Sequence, residues 1–248
     1  MTATRKEKRM KDQGVCHHCH NSLCIHKVPI FSSLNDKDLV KIFDVIKHKE
    51  YKKGESIFRV GDRLNAMIII NDGSAKAVKY TPEGREQILH VFLEGDFFGE
   101  KYLLSNETAS YAVEALKDTK VCMLMKDDFH ELLQKHPEIA IEIITELGNR
   151  MSHLEETIKS MGVRSVDARI GELLIEYANK QGKKVPDGIL IPLPLSREGI
   201  ANYLGIARET LSRKLSNLES ERIIKSIGNK NILLLNEEEL KIQLGIFP

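Results

Sequence analysis

The chain has 248 residues, a natural length for two domains, and 42% of them are hydrophobic, so it can build ordinary cores. Its formal net charge of +1 excludes a nucleic-acid-binding surface spread over the whole chain, so any DNA contact must come from a local patch. No apolar run approaches the roughly 20 residues that a membrane span requires, and no apolar segment follows the basic N-terminus as a signal peptide would need. We therefore expect a cytoplasmic protein with no membrane attachment.

The first 27 residues form an arm with an unusual density of metal-binding side chains. Three cysteines and four histidines fall within eleven residues: Cys16, His17, His18, Cys19, His20, Cys24 and His26. Thiolates and neutral imidazoles are the ligands that hold zinc and iron–sulfur clusters. Three thiolates leave one ligand position to fill, and the remaining cysteine of the chain is Cys122. The pattern indicates a metal or redox centre, whether an iron–sulfur cluster, a zinc site or a mixed Cys/His site.

Residues 28–135 have the pattern of a helix followed by a small β-rich module. The segment Val28–Lys47 is predicted to be helical from the spacing of its apolar residues. After Tyr51 the sequence changes to short apolar or alternating runs, divided by glycine-containing turns about every ten residues, which is typical of a sandwich or barrel. The predicted strands are Ser56–Val60, Ala66–Ile70, Ala75–Tyr80, Gln87–Phe92, Ser110–Glu114 and Lys120–Met125. The segment Phe129–Gln134 then leads into the next part of the chain.

A single long helix is predicted from Pro137 to Met161, within a segment that we assign to residues 136–162. Its apolar residues alternate steps of four and three: Ala140, Ile144, Leu147, Met151, Leu154, Ile158 and Met161. This heptad spacing is typical of a helix that pairs with a second copy of itself, and such a helix spans about 35 Å. The sequence therefore predicts a homodimer held together by this helix.

The last segment, residues 163–248, has the form of a winged helix-turn-helix. A helix over Glu172–Asn179 and a polar linker over Gln181–Asp187 are predicted to precede it. Ser196 can cap the first helix of the motif, and Gly205 permits the tight turn between the two helices. The turn pair Gly228–Asn229 lies between two short apolar runs and predicts a β-hairpin wing.

The second helix of this motif carries polar side chains on one face. Glu209, Ser212, Arg213 and Ser216 follow i, i+3, i+4 spacing, and Arg208 stands at the start of the helix. Arginine can bond to guanine O6 and N7, and glutamate can accept a hydrogen bond from cytosine N4. We therefore predict that these five residues contact double-stranded DNA.

The turns of the β-rich module resemble the β-roll of the cyclic-AMP receptor protein and FNR superfamily. The residues that carry the resemblance are Gly54-Glu55, Gly61-Asp62, Asn71-Asp72-Gly73 and Glu94-Gly95-Asp96-Phe97-Phe98-Gly99-Glu100. The likeness extends from about Pro29 to Asn236. It implies an α+β fold in which an N-terminal β-roll, a cyclic-nucleotide-binding-like sensor, is followed by a long dimerisation helix and a C-terminal winged helix-turn-helix.

Cyclic nucleotide is not expected in this β-roll. Members of the superfamily that bind nucleotide hold the phosphate with an Arg-Ser pair about ten residues after the Gly-Glu pair. Here Gly99-Glu100 is present, but Ala109-Ser110 stands where the Arg-Ser pair would be. A methyl group cannot neutralise a phosphate, so we treat Glu100 as a structural residue of the turn.

The cysteines are similar to those of the FNR branch, a set of oxygen-sensing transcription factors that carry a 4Fe–4S cluster. The resemblance implies that the cluster ligands are Cys16, Cys19, Cys24 and Cys122. The FNR pattern has five residues between its second and third cysteines, whereas this chain has four. Zinc, or a thiol–disulfide switch between Cys122 and an arm cysteine, is the alternative, with the signal then being an oxidant or a small ligand in the β-roll.

The resemblance to FNR also implies a mechanism and partners. Glu209, Ser212 and Arg213 match the FNR-type recognition set, whose half-site is TTGAT in an inverted repeat with ATCAA. An acidic residue on the dimer helix, here Glu155 or Glu156, would make pairing marginal, so that oxygen would weaken the dimer. The loop Thr81–Gln87 resembles the loop of FNR that contacts RNA polymerase. The sequence contains no glycine-rich phosphate loop, nucleophile elbow or paired catalytic carboxylates, so we do not expect an enzyme.

Overall fold

The computed structural model describes residues 28–31, 34, 42, 45–105, 107–163 and 165–243. The chain divides into two compact units. The first comprises residues 1–79 and 90–150, and the second comprises residues 80–89 and 151–248. None of the described helices is long and apolar enough to cross a membrane.

The β-rich module consists of two four-stranded sheets. Its strands are β1 (Lys47–Tyr51), β2 (Ser56–Phe58), β3 (Ala66–Asp72), β4 (Ala75–Tyr80), β5 (Glu86–Phe92), β6 (Phe97–Phe98), β7 (Ala112–Ala115) and β8 (Thr119–Met125). One sheet has the order β1-β8-β3-β6, and the other has the order β2-β7-β4-β5. All the pairings described in these sheets are antiparallel. The six predicted strands are present: Ala75–Tyr80 has the predicted bounds, and the ends of the other five differ from the prediction by at most two residues.

The turn between β3 and β4 shows why the sequence needs a glycine there. Gly73 has a φ of +109°, in the left-handed region that other residues rarely adopt. A Cβ at this position would come within 2.8 Å of three atoms of Thr119, which lies on β8. The neighbouring Ser74 donates its N–H to Thr119 Oγ1 at 3.2 Å, so the turn packs directly against the adjacent strand.

The first sheet has two buried faces, because its successive side chains alternate between two cores. Val121 faces the interior of the roll, together with Ile68 and Ile70 of β3. Cys122 and Leu124 face the opposite side, where they join a second core. The other members of this second core include Val28, Ile30, Phe31, Met67, Ile69, Phe129, Leu132, Ile139 and Ile143. A strand buried on both faces reads as a continuous apolar run, as β3 does.

Three helices begin in the first unit: α1 (Glu100–Ser105), α2 (Lys126–Lys135) and α3 (Pro137–Val163). Pro137 begins α3, where the missing N–H costs no hydrogen bond. The long helix predicted for Pro137–Met161 is therefore present and ends two residues later. The helix predicted for Val28–Lys47 lies largely outside the described residues, but its two ends do not fit the prediction, because Pro29–Phe31 forms a 3-10 turn and β1 already begins at Lys47.

The second unit has four helices among the described residues, together with a four-stranded sheet. Its elements are α4 (Val166–Gln181), β9 (Lys183–Val185), β10 (Gly188–Pro192), α5 (Arg197–Leu204), α6 (Arg208–Ser220), β11 (Ile224–Ile227), β12 (Asn231–Leu234) and α7 (Glu237–Gln243). The sheet order is β11-β12-β10-β9. This arrangement, with the β-rich module and the long helix before it, confirms the predicted fold class.

Two predictions in this unit need correction. The polar linker Gln181–Asp187 contains strand β9, in which Lys184 pairs with Ile189 of β10. The strand escaped prediction because it is an exposed edge strand, where lysine is favoured and apolar alternation is absent. The helix predicted over Glu172–Asn179 is longer and extends from Val166 to Gln181. The break expected near Gly162 is confirmed, because α3 ends at Val163 and Ser165 caps α4 by accepting a hydrogen bond from the N–H of Ala168 at 3.2 Å.

Candidate DNA-reading surface and sensor site

Local capping fixes the two helices of the helix-turn-helix. Ser196 Oγ accepts a hydrogen bond from the N–H of Gly199 at 3.1 Å and begins α5. Gly205 ends the same helix with a φ of +64°, and Ile206 donates its N–H to the carbonyl oxygen of Ala201 at 3.0 Å. The cap and the turn lie where the sequence predicts them.

The two helices pack through the apolar residues that sequence spacing selects. Ile200 and Leu204 on α5, and Leu211 and Leu215 on α6, are all buried. Ala201 is 1% exposed, as expected for a small residue at the point where the helices cross. The opposite face of α6 is consequently directed to solvent.

That solvent face carries the predicted DNA contacts. Arg208, Glu209, Arg213 and Ser216 are exposed, and Ser212 is half-buried. Glu209 and Arg213 stand four residues apart, yet within the described part of the chain neither of them forms an ion pair. A surface with unpaired donors and acceptors is suited to base edges in the major groove.

Lys214, next to Arg213, is held by a different contact. Its Nζ donates to Asp167 Oδ2 at 2.7 Å, in the first turn of α4. In the same turn, Arg169 Nη1 donates to the carbonyl oxygen of Leu204 at 2.6 Å, at the C-terminal end of α5. The first turn of α4 therefore holds both helices of the motif. Sequence reasoning missed these contacts, because an Asp and an Arg in a first turn read only as helix-terminal charges.

The wing is attached to both helices as well. Strands β11 and β12 pair in register around Gly228, which has a φ of +63°. Ser226 of β11 accepts a hydrogen bond from Arg197 Nη2 at 2.7 Å and donates its N–H to Glu219 Oε1 at 2.7 Å. The hydrogen bond from Ser226 lowers the pKa of Glu219, so that this carboxylate remains charged. Helix-turn-helix and wing thus form one connected unit.

Helix α3 exposes a stripe of apolar side chains. Ile141, Ile144, Met151 and Leu154 are each more than half exposed, at 65%, 67%, 61% and 57%. Gly148 lies between them, and a Cβ there would meet nothing within 4 Å. Of the predicted dimer contacts, Ile144, Met151 and Leu154 lie on this stripe. Ile141 is an addition that the sequence analysis did not name.

The other predicted dimer contacts are placed differently. Leu147 packs in part against the second core of its own β-rich module. The side chains of Glu156, Ile158 and Met161 lie outside the described residues, although the helix itself continues to Val163.

Glu100, in the β-roll, is bonded to the long helix. Arg150 Nη1 donates to Glu100 Oε1 at 2.9 Å, and Arg150 Nη2 donates to the carbonyl oxygen of Phe97 at 2.8 Å. The guanidinium carbon lies 4.7 Å from the centroid of the Phe97 ring, and Nε bonds to Glu146 at 3.0 Å. Glu100 is therefore more than a turn residue, since it anchors Arg150 of α3 to the roll.

Burial dominates the electrostatics of Glu100. The residue is 3% exposed, and its Oε2 has no hydrogen-bond partner in the described part of the chain. Burial raises the pKa of the Glu100 carboxyl, and the Arg150 charge opposes this shift. Sequence reasoning missed the partner, because Arg150 lies fifty residues after Glu100 and no local pattern links the two.

The position that an Arg-Ser pair would occupy contains no cation. Ala109 is 2% exposed and packs in the interior core. Ser110 donates its N–H to Tyr102 Oη at 3.2 Å, and its hydroxyl lies 3.3 Å from the same oxygen. Arg150 is thus the cation that faces Glu100, and it comes from the long helix.

Cys122 lies in the middle of β8, on the face of the sheet that carries the second core. It is 1% exposed and stands between His48 of β1 and Ile69 of β3. Its Sγ is 3.5 Å from His48 Nδ1. Cys16, Cys19 and Cys24 lie outside the described residues. Within the described residues, no group of three or more Cys, His, Asp or Glu side chains could hold a metal ion.

Comparison with known protein families identifies both halves of the chain. Residues 48–136 match the cyclic nucleotide-binding domain, and residues 168–242 match the Crp-like helix-turn-helix domain.

Relatives of similar length extend these matches over nearly the whole chain. The Shewanella oneidensis electron transport regulator A is 29% identical over 97% of this chain and 95% of its own length. The Vibrio cholerae fumarate and nitrate reduction regulatory protein is 28% identical over 96% of this chain and 95% of its own length.

Solved structures agree on the architecture. FixK2 from Bradyrhizobium japonicum is 26% identical, has a TM-score of 0.71, and covers 81% of this chain and 97% of its own. A CooA mutant from Carboxydothermus hydrogenoformans has a TM-score of 0.70 at 22% identity, covers 86% of this chain and 93% of its own, and supports the fold alone.

A β-roll of the cyclic nucleotide-binding type joined to a Crp-like helix-turn-helix defines a DNA-binding transcription regulator. The relatives carry the names of regulators rather than of enzymes. The chain belongs to the CRP/FNR family.

Proposed function

We propose that this regulator responds to oxygen or another oxidant through a 4Fe–4S cluster, held by Cys16, Cys19, Cys24 and Cys122. The observation that carries the proposal is the position of Cys122. Its side chain belongs to the same core as Val28, Ile30 and Phe31, which directly follow the cysteine arm. The arm therefore joins the module on the face that presents the fourth thiol.

The residues present suit such a cluster. Val28 follows Cys24 by only four positions, a span of at most about 14 Å in a fully extended chain. Thiolates are the ligands that iron–sulfur clusters require, and an apolar surrounding limits access of water to the sulfur atoms. When bound, the cluster would supply a group that the oxidant degrades. Several relatives are named fumarate and nitrate reduction or anaerobic regulatory proteins, which supports the same proposal.

The core around Cys122 offers a path for the signal. Ile139 and Ile143 of α3 belong to this core, and Leu147 packs against it. A change in how Cys122 is held therefore alters the packing beneath the first three turns of the long helix. The apolar stripe of Ile141, Ile144, Met151 and Leu154 lies on the other side of that helix.

We propose that this stripe, continued by Ile158 and Met161, pairs with a second copy of the chain. A row of apolar residues at three- and four-residue spacing is the seam of a two-stranded coiled coil. Glu155 is exposed in the same region, and Glu156 follows it. Like charges near the seam oppose association. The dimer would therefore form only when the β-rich module keeps α3 in the arrangement that lets its apolar stripe pair.

The dimer would read an FNR-like inverted repeat of TTGAT and ATCAA. Glu209 and Arg213 would read a G·C pair, Ser212 and Ser216 would add smaller contacts, and Arg208 would stand nearest the DNA backbone. Half-sites on one face of the duplex lie about 34 Å apart. The loop Thr81–Gln87, closed by a hydrogen bond from the Thr81 N–H to the Arg85 carbonyl oxygen, would contact RNA polymerase.

The proposal is tested by strictly anaerobic purification, followed by iron, zinc and acid-labile sulfide assays. About four irons and four sulfides per chain, with a visible absorption band that bleaches in air, are expected. Absence of iron and sulfide would contradict it.

A second candidate is a zinc site or a thiol–disulfide switch in the arm. It is favoured by the four histidines of the arm and by the imidazole of His48 beside Cys122, because zinc accepts mixed Cys/His ligands. Stoichiometric zinc without sulfide would establish the zinc form. A mass loss of two hydrogens on oxidation, involving Cys122, would establish the disulfide.

A further inference from the structure

Cys122 and His48 form a cross-strand pair. Strands β1 and β8 are antiparallel, and these two residues are direct partners in their register. Residues that stand opposite each other on antiparallel strands project from the same face of a sheet. Both side chains therefore point to the face of the second core, and their Sγ and Nδ1 atoms lie 3.5 Å apart.

The pair lies at a protected place. Cys122 is 1% exposed, whereas His48 is half-buried on the edge strand. Water therefore does not compete with the imidazole for the sulfur atom. Val121 and Met123, the chain neighbours of Cys122, project from the other face and do not contribute to this contact.

The chemistry of a ligating sulfur decides the direction of the hydrogen bond. A cysteine that binds a metal does so as a thiolate, which carries no proton. A favourable contact between that thiolate and Nδ1 therefore requires the proton to reside on Nδ1. His48 is thus a hydrogen-bond donor to Cys122 Sγ whenever Cys122 acts as a ligand.

We propose that His48 is a positioning residue for Cys122, and that its Nδ1–H···Sγ hydrogen bond retains this sulfur as a cluster ligand. The inference rests on the proposed function, because it needs a cluster to be bound. Partners that hydrogen-bond to metal ligands fix the ligand's orientation, and their loss typically weakens metal binding by 10- to 100-fold. His48 would therefore set how long the cluster survives.

The test compares His48→Phe with His48→Gln in the full-length chain, loaded and assayed without oxygen. Phenylalanine keeps the ring volume but donates no hydrogen bond, whereas glutamine retains an N–H donor. The measurement is the rate at which ferrozine removes iron. We expect His48→Phe to load about as much iron as the natural protein and to lose it about tenfold faster, with His48→Gln close to the natural rate.

His130→Phe is the matched control, because His130 is an exposed histidine of α2, whereas His48 contacts Cys122. Equal rates for His48→Phe and the natural protein would overturn the inference while leaving the cluster in place. Failure of His48→Phe to bind any iron, with His130→Phe fully loaded, would show that His48 is needed to assemble the cluster rather than to retain it, and would also overturn the inference. A natural protein without iron and sulfide would contradict the proposed function itself, before any variant is compared.

Discussion

Two Glu–Arg pairs of this chain differ in how their charges are used. Glu100 and Arg150 are bonded to each other at 2.9 Å, and Glu100 is 3% exposed. Glu209 and Arg213 have the i, i+4 spacing that permits an ion pair, yet both are exposed and no bond between them occurs in the described structure. In the first pair the two charged groups bond to each other inside the protein. In the second pair the donors and acceptors remain available to bind another molecule.

The difference follows from solvation. A buried charge needs a partner, because removing one member of a buried pair leaves an uncompensated charge. An ion pair on the surface contributes about 0–1 kcal/mol, so separating it costs little. Glu209 and Arg213 on α6 can therefore remain unpaired at little cost, whereas the buried Glu100 of the β-roll requires its partner Arg150.

The largest effect is expected from Arg150→Met. The substitution leaves the buried carboxylate of Glu100 without its cation, and we expect the free energy of unfolding to fall by about 3 kcal/mol. Urea unfolding at neutral pH measures the change. The double variant Glu100→Met with Arg150→Met should recover much of the loss, since no charge is then left unpaired. A double variant less stable than Arg150→Met would contradict this reading of the pair.

Arg213→Ala should have the next largest effect, on DNA binding rather than stability. We expect a loss of about 1–3 kcal/mol in binding to the palindrome, together with loss of discrimination at one G·C pair. Titration of the palindrome and of single-base variants measures both. Lys183→Ala, an exposed lysine of β9, serves as the control. Equal weakening on random DNA would instead make Arg213 a phosphate contact.

Glu156→Ala tests a third use of charge, repulsion between identical helices. Removing the carboxylate should strengthen pairing of α3, so we expect a dimer even after exposure to air. Sedimentation of the natural protein and the variant, with and without air, measures the change. Glu142→Ala, at a half-buried position of α3 outside the apolar stripe, is the matched control. A variant that remains monomeric in air would count against a role for Glu156.

The smallest effect concerns pH and Glu100. Because burial raises the folded-state pKa of this carboxyl, the folded protein holds its proton more tightly than the unfolded chain. The stabilisation from this proton is present below the unfolded pKa and is lost as pH rises through the folded pKa. Relative to Glu100→Gln, the natural protein should therefore lose stability as pH rises from about 4.3. A difference that grows in the opposite direction would contradict the shift.

Sequence alone predicts the parts of the molecule that local physics determines. The cap at Ser196, the left-handed turn at Gly205 and the buried Ile200 and Leu211 follow from short-range rules. The strands of the roll follow from alternation and turns in the same way. The exposed face of α6 follows from helical spacing.

Features that depend on distant neighbours were not predicted. Strand β1 is a charged edge strand, and its pairing partner β8 lies far along the chain. The contact between Glu100 and Arg150 joins residues fifty positions apart. The contact between Cys122 and His48 depends on the register of two strands, which no local pattern specifies.

A single DNA titration tests most directly whether the cysteine arm controls DNA binding by α6. The palindrome of TTGAT and ATCAA is titrated with anaerobically purified protein, and the titration is repeated after exposure to air and after anaerobic reconstitution with iron and sulfide. We expect the anaerobic protein to bind the palindrome tightly as a dimer. Binding should be weak after exposure to air and should recover on reconstitution with iron and sulfide. Equal affinity in all three samples would contradict the claim that the cysteine arm controls DNA reading.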